Sequence, residues 1–187
     1  NIILLEYARN GSVQYYLADD TKPLPYSLTR NWLTESASAL EYLHGLNILH
    51  RDIKGSNCLL FKDYLLKLCD FGLARTIERS QTTSTAKGTY PYMAPELHEG
   101  NVEGRAIFSK PADIYAYGML AQEIVTRKTP WKGVMWANMI FRVCEGERPS
   151  IPSSCPQDIS DLIQRCWNGD PKARPSIEEI TEGKYHF

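Results

Sequence analysis

The chain has 187 residues, 43% hydrophobic and 23% charged, which is enough for one domain with a sizeable core. Its formal net charge of −1 gives no basic field to attract nucleic acid or an anionic membrane. No apolar run is long enough for a membrane span and no signal peptide opens the chain. The five cysteines form no CxxC pair or Cys/His cluster, which excludes a zinc framework and fits a reducing, cytoplasmic setting.

Ile2 to Tyr7 opens the chain as an apolar run, and its continuity predicts a buried strand. The chain begins inside that run without an initiator Met, which reads as a cut from a longer polypeptide or an incomplete gene product. Arg9-Asn10-Gly11-Ser12 is turn chemistry, and Ser12 is placed to cap a short helix through Leu17. Asp19 to Pro25 reads as a polar loop. From Ser27 to Leu46 the residues Leu28, Trp32, Leu33, Leu40 and Leu43 recur at helical spacing, with Gly45 and Asn47 as stop residues. Cys58 to Phe61 and Leu65 to Cys69 predict two short strands around a Lys62-Asp63 turn. Arg75 to Lys87 is polar and rich in hydroxyls, the composition of an exposed, mobile loop. Beyond Pro95 the reading is helical. Ser109 and Pro111 start a strongly apolar helix over 113–127, and two amphipathic helices follow over 134–144 and 158–167. Ser176 with Glu179 makes a capping box for a last short helix. The stretch between Glu96 and Asp113, with Gly100 and Gly104 inside, reads as a surface loop.

The chemistry concentrates in three motifs. His50-Arg51-Asp52-Ile53-Lys54-Gly55-Ser56-Asn57 fits H-R-D-x-x-x-x-N at every fixed position. Asp70-Phe71-Gly72 and then Ala94-Pro95-Glu96 follow in order. Either triplet alone arises by chance in unrelated proteins, but all three in this order are specific. On these residues the chain resembles eukaryotic protein kinases over essentially its whole length. The Met93-to-Glu96 stretch and the Cys166-to-Pro175 stretch are similar to those of tyrosine-kinase-like serine/threonine kinases, of the mitogen-activated kinase kinase kinase type.

The resemblance implies a protein-kinase-like fold, the large C-terminal lobe only, mainly α with a few short β-strands. It makes 1–187 a partial kinase domain, with 1–11 the last small-lobe strand and hinge and 70–96 the activation segment. The glycine-rich G-x-G-x-x-G loop, the V-A-I-K lysine and the helix glutamate are missing, so the implied fragment carries half a nucleotide site and is expected to be inactive alone. The implied partners are ATP, Mg²⁺, a protein substrate and the missing small lobe.

The resemblance also assigns roles. Asp52 orients the acceptor hydroxyl and takes its proton. Lys54 sets an ammonium near the γ-phosphate, and a Lys there marks serine/threonine kinases. Asn57 and Asp70 offer hard oxygens to Mg²⁺. Leu59 lies under the adenine, the backbone of Glu6 and Ala8 bonds its edge, and Leu5 backs the pocket. Thr89 bridges Asp52 and Lys54 by its hydroxyl. Arg51 pairs with a phosphate on Ser80, Thr82, Thr83, Ser84 or Thr85, which would add about −1.5 to −2 charges. Glu96 and Arg174 form a buried structural ion pair, and Asp113 anchors the catalytic-loop backbone. His50 and Phe71 are packed structural residues. His44, His98 and His186 have no ligand partners at useful spacing.

The leading expectation is therefore transfer of the ATP γ-phosphate to protein Ser/Thr hydroxyls in signal transduction. The alternatives are a truncated, non-catalytic kinase-like binding module, or a dual-specificity or tyrosine kinase.

Overall fold

The computed structural model describes residues 4–77, 89–102 and 107–183, apart from the side chains of 99–102. The 113–127 reading corresponds to a helix over Lys110–Thr126, here α4 after α1 (Val13–Leu17), α2 (Tyr26–Gly45) and α3 (Pro95–Val102). Every residue of α4 from Ala112 to Ile124 is buried. A helix that is apolar on nearly every side is stable only when other elements enclose it, and α4 is enclosed by α2, by α6 (Gln157–Cys166) and by the turn Gly55–Asn57. Burying each of its large apolar side chains contributes about 1.5–3 kcal/mol, which makes this contact the centre of the core. The approach of α6 is close: a Cβ on Gly118 would lie 2.7 Å from the Cys166 Cβ, so only glycine fits there.

Around α4 the local rules hold. Ser12 caps α1 by accepting from Tyr15 N–H at 3.1 Å. α2 buries Thr29, Trp32, Leu33, Ser36, Ala37, Leu40 and Leu43 on one stripe, and the chain leaves it through Asn47 in the left-handed region (φ 56°). Among the described residues, α5 (Trp136–Cys144) and α7 (Ile177–Thr181) complete the helices named here, and α7 carries the complete Ser176/Glu179 capping box. The strands form two small antiparallel pairs. β1 (Ile48–Leu49) pairs with β4 (Arg75–Thr76), and β2 (Cys58–Leu60) pairs with β3 (Leu66–Leu68) with Cys58 opposite Leu68. No helix among the described residues is long and apolar enough to cross a membrane.

Three expectations need correction. Leu4 to Ala8 form no strand; Leu4 and Leu5 stand 95% and 81% exposed, because among the described residues no strand pairs with them and no side chain covers them. The stretch after Glu96 is not a loop throughout: α3 runs to Val102 and buries Leu97 and His98. Arg75 and Thr76 are not loop, since they pair with β1, although they are exposed. The remainder of that hydroxyl-rich stretch, including Ser80, Thr82, Thr83, Ser84 and Thr85, lies outside the described residues, as do Ile2, Ile3, Gly104 and His186.

The ion pair between Glu96 and Arg174 forms in bidentate geometry, at 2.7 and 2.8 Å, and Arg174 also donates to the Pro111 and Asn168 carbonyls. The pair joins α3 to the segment before α7. The guanidinium is fully buried, while Glu96 is 25% exposed. Glu96→Ala, which leaves that cation without its counter-charge, is therefore expected to lower unfolding stability by about 3 kcal/mol in a denaturant titration. A change under about 0.5 kcal/mol would contradict the pair's structural role.

Candidate functional site

Asp113, in the first turn of α4, reaches across to the 50–57 loop. Its Oδ1 accepts Arg51 N–H at 2.9 Å, and its Oδ2 accepts His50 N–H at 2.9 Å and His44 Nε2–H at 3.0 Å. These bonds hold Arg51 in the left-handed region (φ 71°), a conformation costing a non-glycine residue about 1–3 kcal/mol. The Arg51 guanidinium lies 4.0 Å over the Phe108 ring, and its Nε has no hydrogen-bond partner among the described residues. Burial and the nearby Arg75 both lower the Arg51 pKa, against Asp113.

His50 is buried and ties two motifs together. Its Nδ1 accepts Asp52 N–H at 3.3 Å, so the ring proton sits on Nε2, which donates to the Cys69 carbonyl at 3.1 Å. The Phe71 ring lies 5.3 Å from it, although Phe71 is half exposed.

The turn exits at Asp52, whose carboxylate is held from three sides. Lys54 Nζ donates to Oδ2 at 2.6 Å and to Thr89 Oγ1 at 2.7 Å, and Thr89 Oγ1–H donates to Oδ1 at 2.8 Å. Asn57 Nδ2 donates to the Asp52 carbonyl at 2.8 Å and to Oδ2 at 2.9 Å. Burial alone would raise the Asp52 pKa, but the Lys54 and Thr89 bonds overcome it and hold the carboxyl below its ordinary value. The bridge expected of Thr89 is present.

Asp70 reaches the same place by strand pairing. Past the β2–β3 ladder, Cys69 N–H donates to the Asn57 carbonyl at 2.9 Å, so Asp70 follows directly beside the loop. Asp70 is exposed and left-handed (φ 61°), with Oδ1 accepting Gly72 N–H at 3.2 Å. No cluster of three or more His, Cys, Asp or Glu among the described residues could hold a metal.

The expected adenine-side residues are less assembled. Leu59 is half-buried on β2, and Ser12 bridges to it. Leu5 does not back a closed pocket, because its side chain is 81% exposed. Glu6 is exposed and pairs with Lys67 at 2.7 Å, and the Ala8 carbonyl accepts Gly11 N–H at 3.2 Å.

Sequence reasoning missed three contributors. His44 is the third donor to Asp113. Phe108 carries the Arg51 cation. Glu123 bonds Gly55 N–H at 2.9 Å. A signal existed only for Glu123, a carboxylate in the mostly apolar second half of α4.

A family model described as protein tyrosine and serine/threonine kinase matches residues 1–183. A probable LIM domain-containing serine/threonine-protein kinase of Dictyostelium discoideum is 36% identical over 177 residues, covering 95% of this chain and 26% of the relative. Human mitogen-activated protein kinase kinase kinase 7 is 34% identical over 199 residues, covering 99% of this chain and 31% of the relative. The chain thus spans less than a third of the length of these relatives.

The Thr89 hydroxyl stabilises the ionised form of Asp52, so Thr89→Ala is expected to raise the Asp52 pKa in a carboxyl NMR titration. A depressed carboxyl pKa contributes stability above the unfolded value, lost as pH falls through the folded one, so the variant also loses some of its neutral-pH stability advantage over acid. An Asp52 titration that does not move would contradict the bridge.

Proposed function

The chain belongs to the family of protein tyrosine and serine/threonine kinases, and from that premise we infer that it is the catalytic part of an enzyme transferring the ATP γ-phosphate to Ser/Thr hydroxyls of a protein. The observation that carries this reading is the closed bridge of Asp52, Lys54 and Thr89.

Phosphoryl transfer requires an acceptor hydroxyl held in line and a compensation for charge as it develops. With its pKa depressed, Asp52 is ionised at neutral pH and able to orient the hydroxyl and accept its proton. Lys54 is pinned between Asp52 and Thr89, which fixes its ammonium beside the point where the phosphoryl group would arrive. A Lys here, together with Thr89, favours Ser/Thr over Tyr acceptors, and the Dictyostelium relative named above is a serine/threonine-protein kinase by name.

The donor set suits Mg²⁺. Asn57 uses Nδ2 on Asp52, which leaves Oδ1 without a described hydrogen bond, and Asp70, one residue past the Cys69 N–H bond to the Asn57 carbonyl, adds a carboxylate. Both are hard oxygens, and a magnesium ion bound with a nucleotide commonly takes one or two carboxylates, phosphates and water rather than a full protein cage. When bound it would neutralise phosphate charge. On the same reading, Leu59 underlies the adenine, and Leu4, Leu5 and Tyr7 offer apolar surface for a small lobe to cover. Arg51, half-buried with an unbonded Nε, is suited to a phosphate on the hydroxyl-rich segment. Free thiols at Cys58, Cys69, Cys155 and Cys166 suit a cytoplasmic setting.

The test uses the full-length protein that carries this chain, with Mg·ATP and myelin basic protein as a generic acceptor. Phosphoamino-acid analysis is expected to give phosphoserine and phosphothreonine, and Asp52→Asn is expected to lower kcat about a thousandfold. Phosphotyrosine as the product, or an Asp52→Asn enzyme as fast as the parent, would overturn the reading.

A further inference from the structure

The segment between α4 and α5 carries charge that the Asp52 site does not use. The chain holds 21 basic and 22 acidic residues, so neither sign prevails overall. A trough of about 590 Å³ departs from that balance. Lys128, Lys132, Arg142 and Arg148 are in its lining, and no acidic residue is. The nearest bonded acid is Glu147, which pairs with Arg142 at 2.7 Å and offsets one of the four cations. Lys128 and Lys132 are exposed. Neither forms an ion pair among the described residues.

The backbone accounts for the shape. Arg127, Trp131 and Gly133 all take left-handed conformations, at φ 56°, 59° and 84°. Lys132 N–H donates to the Thr129 carbonyl at 3.2 Å, and Val134 N–H donates to the Trp131 carbonyl at 2.9 Å. These tight turns fold the segment about Trp131, which is buried with the Arg142 guanidinium 5.1 Å over its ring. Both walls are tied to the rest of the fold. Arg127 donates to the Asp19 and Lys22 carbonyls at 2.6 and 3.1 Å, and Arg148 donates to the Val143, Glu147 and Trp167 carbonyls at 3.0, 2.7 and 2.8 Å. The trough is therefore preformed, and a ligand need not order it.

Between the charges the lining is apolar, with Val125, Val134, Pro149 and Pro152 half-buried. A second trough of about 490 Å³ adjoins the first through Arg148, Pro149 and Pro152, which line both. A small anion fills only part of one trough, whereas an extended chain, at about 3.3 Å per residue, runs along both. A flat anionic membrane does not follow a concave surface. We propose that this trough docks an extended acidic segment of a partner protein, in which carboxylates alternate with aliphatic side chains. The carboxylates meet Lys128 and Lys132, and the aliphatic groups lie on Val125, Val134 and the two prolines. Complementary charge of this kind sets partner choice and speeds encounter. None of these residues belongs to the Asp52 site, so the docking does not depend on the phosphotransfer reading.

The experiment titrates a fluorescein-labelled peptide of about ten residues, enough to run along both troughs, with the full-length protein and follows fluorescence anisotropy. Glutamates alternate with leucines in the peptide. Binding is expected with a Kd of about 10–100 μM at about 50 mM salt, weakened at least about fivefold at about 300 mM. Lys128→Glu combined with Lys132→Glu should weaken it at least about tenfold. Because both lysines are exposed, the thermal midpoint of that variant should stay within about 2 °C of the parent. Arginine at both positions keeps the charge and should bind within about threefold of the parent. The same peptide with serines for leucines should bind at least about fivefold more weakly. A parent that does not bind the glutamate–leucine peptide, or a double charge-reversal variant that binds it as tightly as the parent, overturns the proposal. Equal binding of the serine peptide reduces the surface to bulk charge and overturns the docking trough. Phosphatidylserine vesicles that bind through the two lysines while the peptide does not bind overturn the protein partner in favour of a lipid surface.

Discussion

A single buried carboxylate organises the candidate site. Asp113 accepts from His44, His50 and Arg51 at once, and its position is fixed because it sits in the first turn of the most enclosed helix. The loop it holds contains a non-glycine residue in the left-handed region, a conformation that persists only when the surroundings over-determine it. Turning the chain there directs the Asp52 carboxylate toward Lys54, Asn57 and Thr89, while the His50 ring turns to the Cys69 carbonyl. The apolar packing of α4 thus becomes directional accuracy at a polar surface.

From that anchor the site is built by short links. His50 connects the loop to Cys69, and Asn57 connects it to the same residue by backbone, so Asp70 follows without needing a contact of its own. Lys54 and Thr89 close the front. The links tie the 50–57 loop to Cys69 and to Thr89, segments that lie apart in sequence. An arrangement prepared in advance is what makes charged groups effective toward a developing transition-state charge, because little reorganisation remains when the reaction occurs.

Much of this was readable from residue order. The three motifs located Asp52, Asn57 and Asp70; helical spacing with its stop residues located α2, and a Ser109/Pro111 start before an apolar run located α4, each to within a few residues. The Glu96–Arg174 pair was also legible, though only through the family resemblance, since the two lie 78 positions apart. The failures have physical causes. Ile2 to Tyr7 has the composition of a buried strand, but a strand needs a neighbour to supply hydrogen bonds and cover, and among the described residues there is none. β1 and β4 are two residues each, too short to carry any periodicity, and exist because the loop geometry brings Ile48 opposite Thr76. The α3 helix was hidden by Gly100 and by its brevity. His44 and Phe108 act through tertiary contact, for which linear spacing gives no sign.

Asp113 sets the conformation of the 50–57 loop. The most direct test of this role is the kcat of Asp113→Asn in the full-length protein, which keeps the side-chain shape but replaces one acceptor oxygen with a donor facing backbone N–H groups. The account predicts a loss of about a hundredfold or more in kcat, with ATP affinity nearly unchanged. A variant that folds and turns over at the parental rate would contradict it.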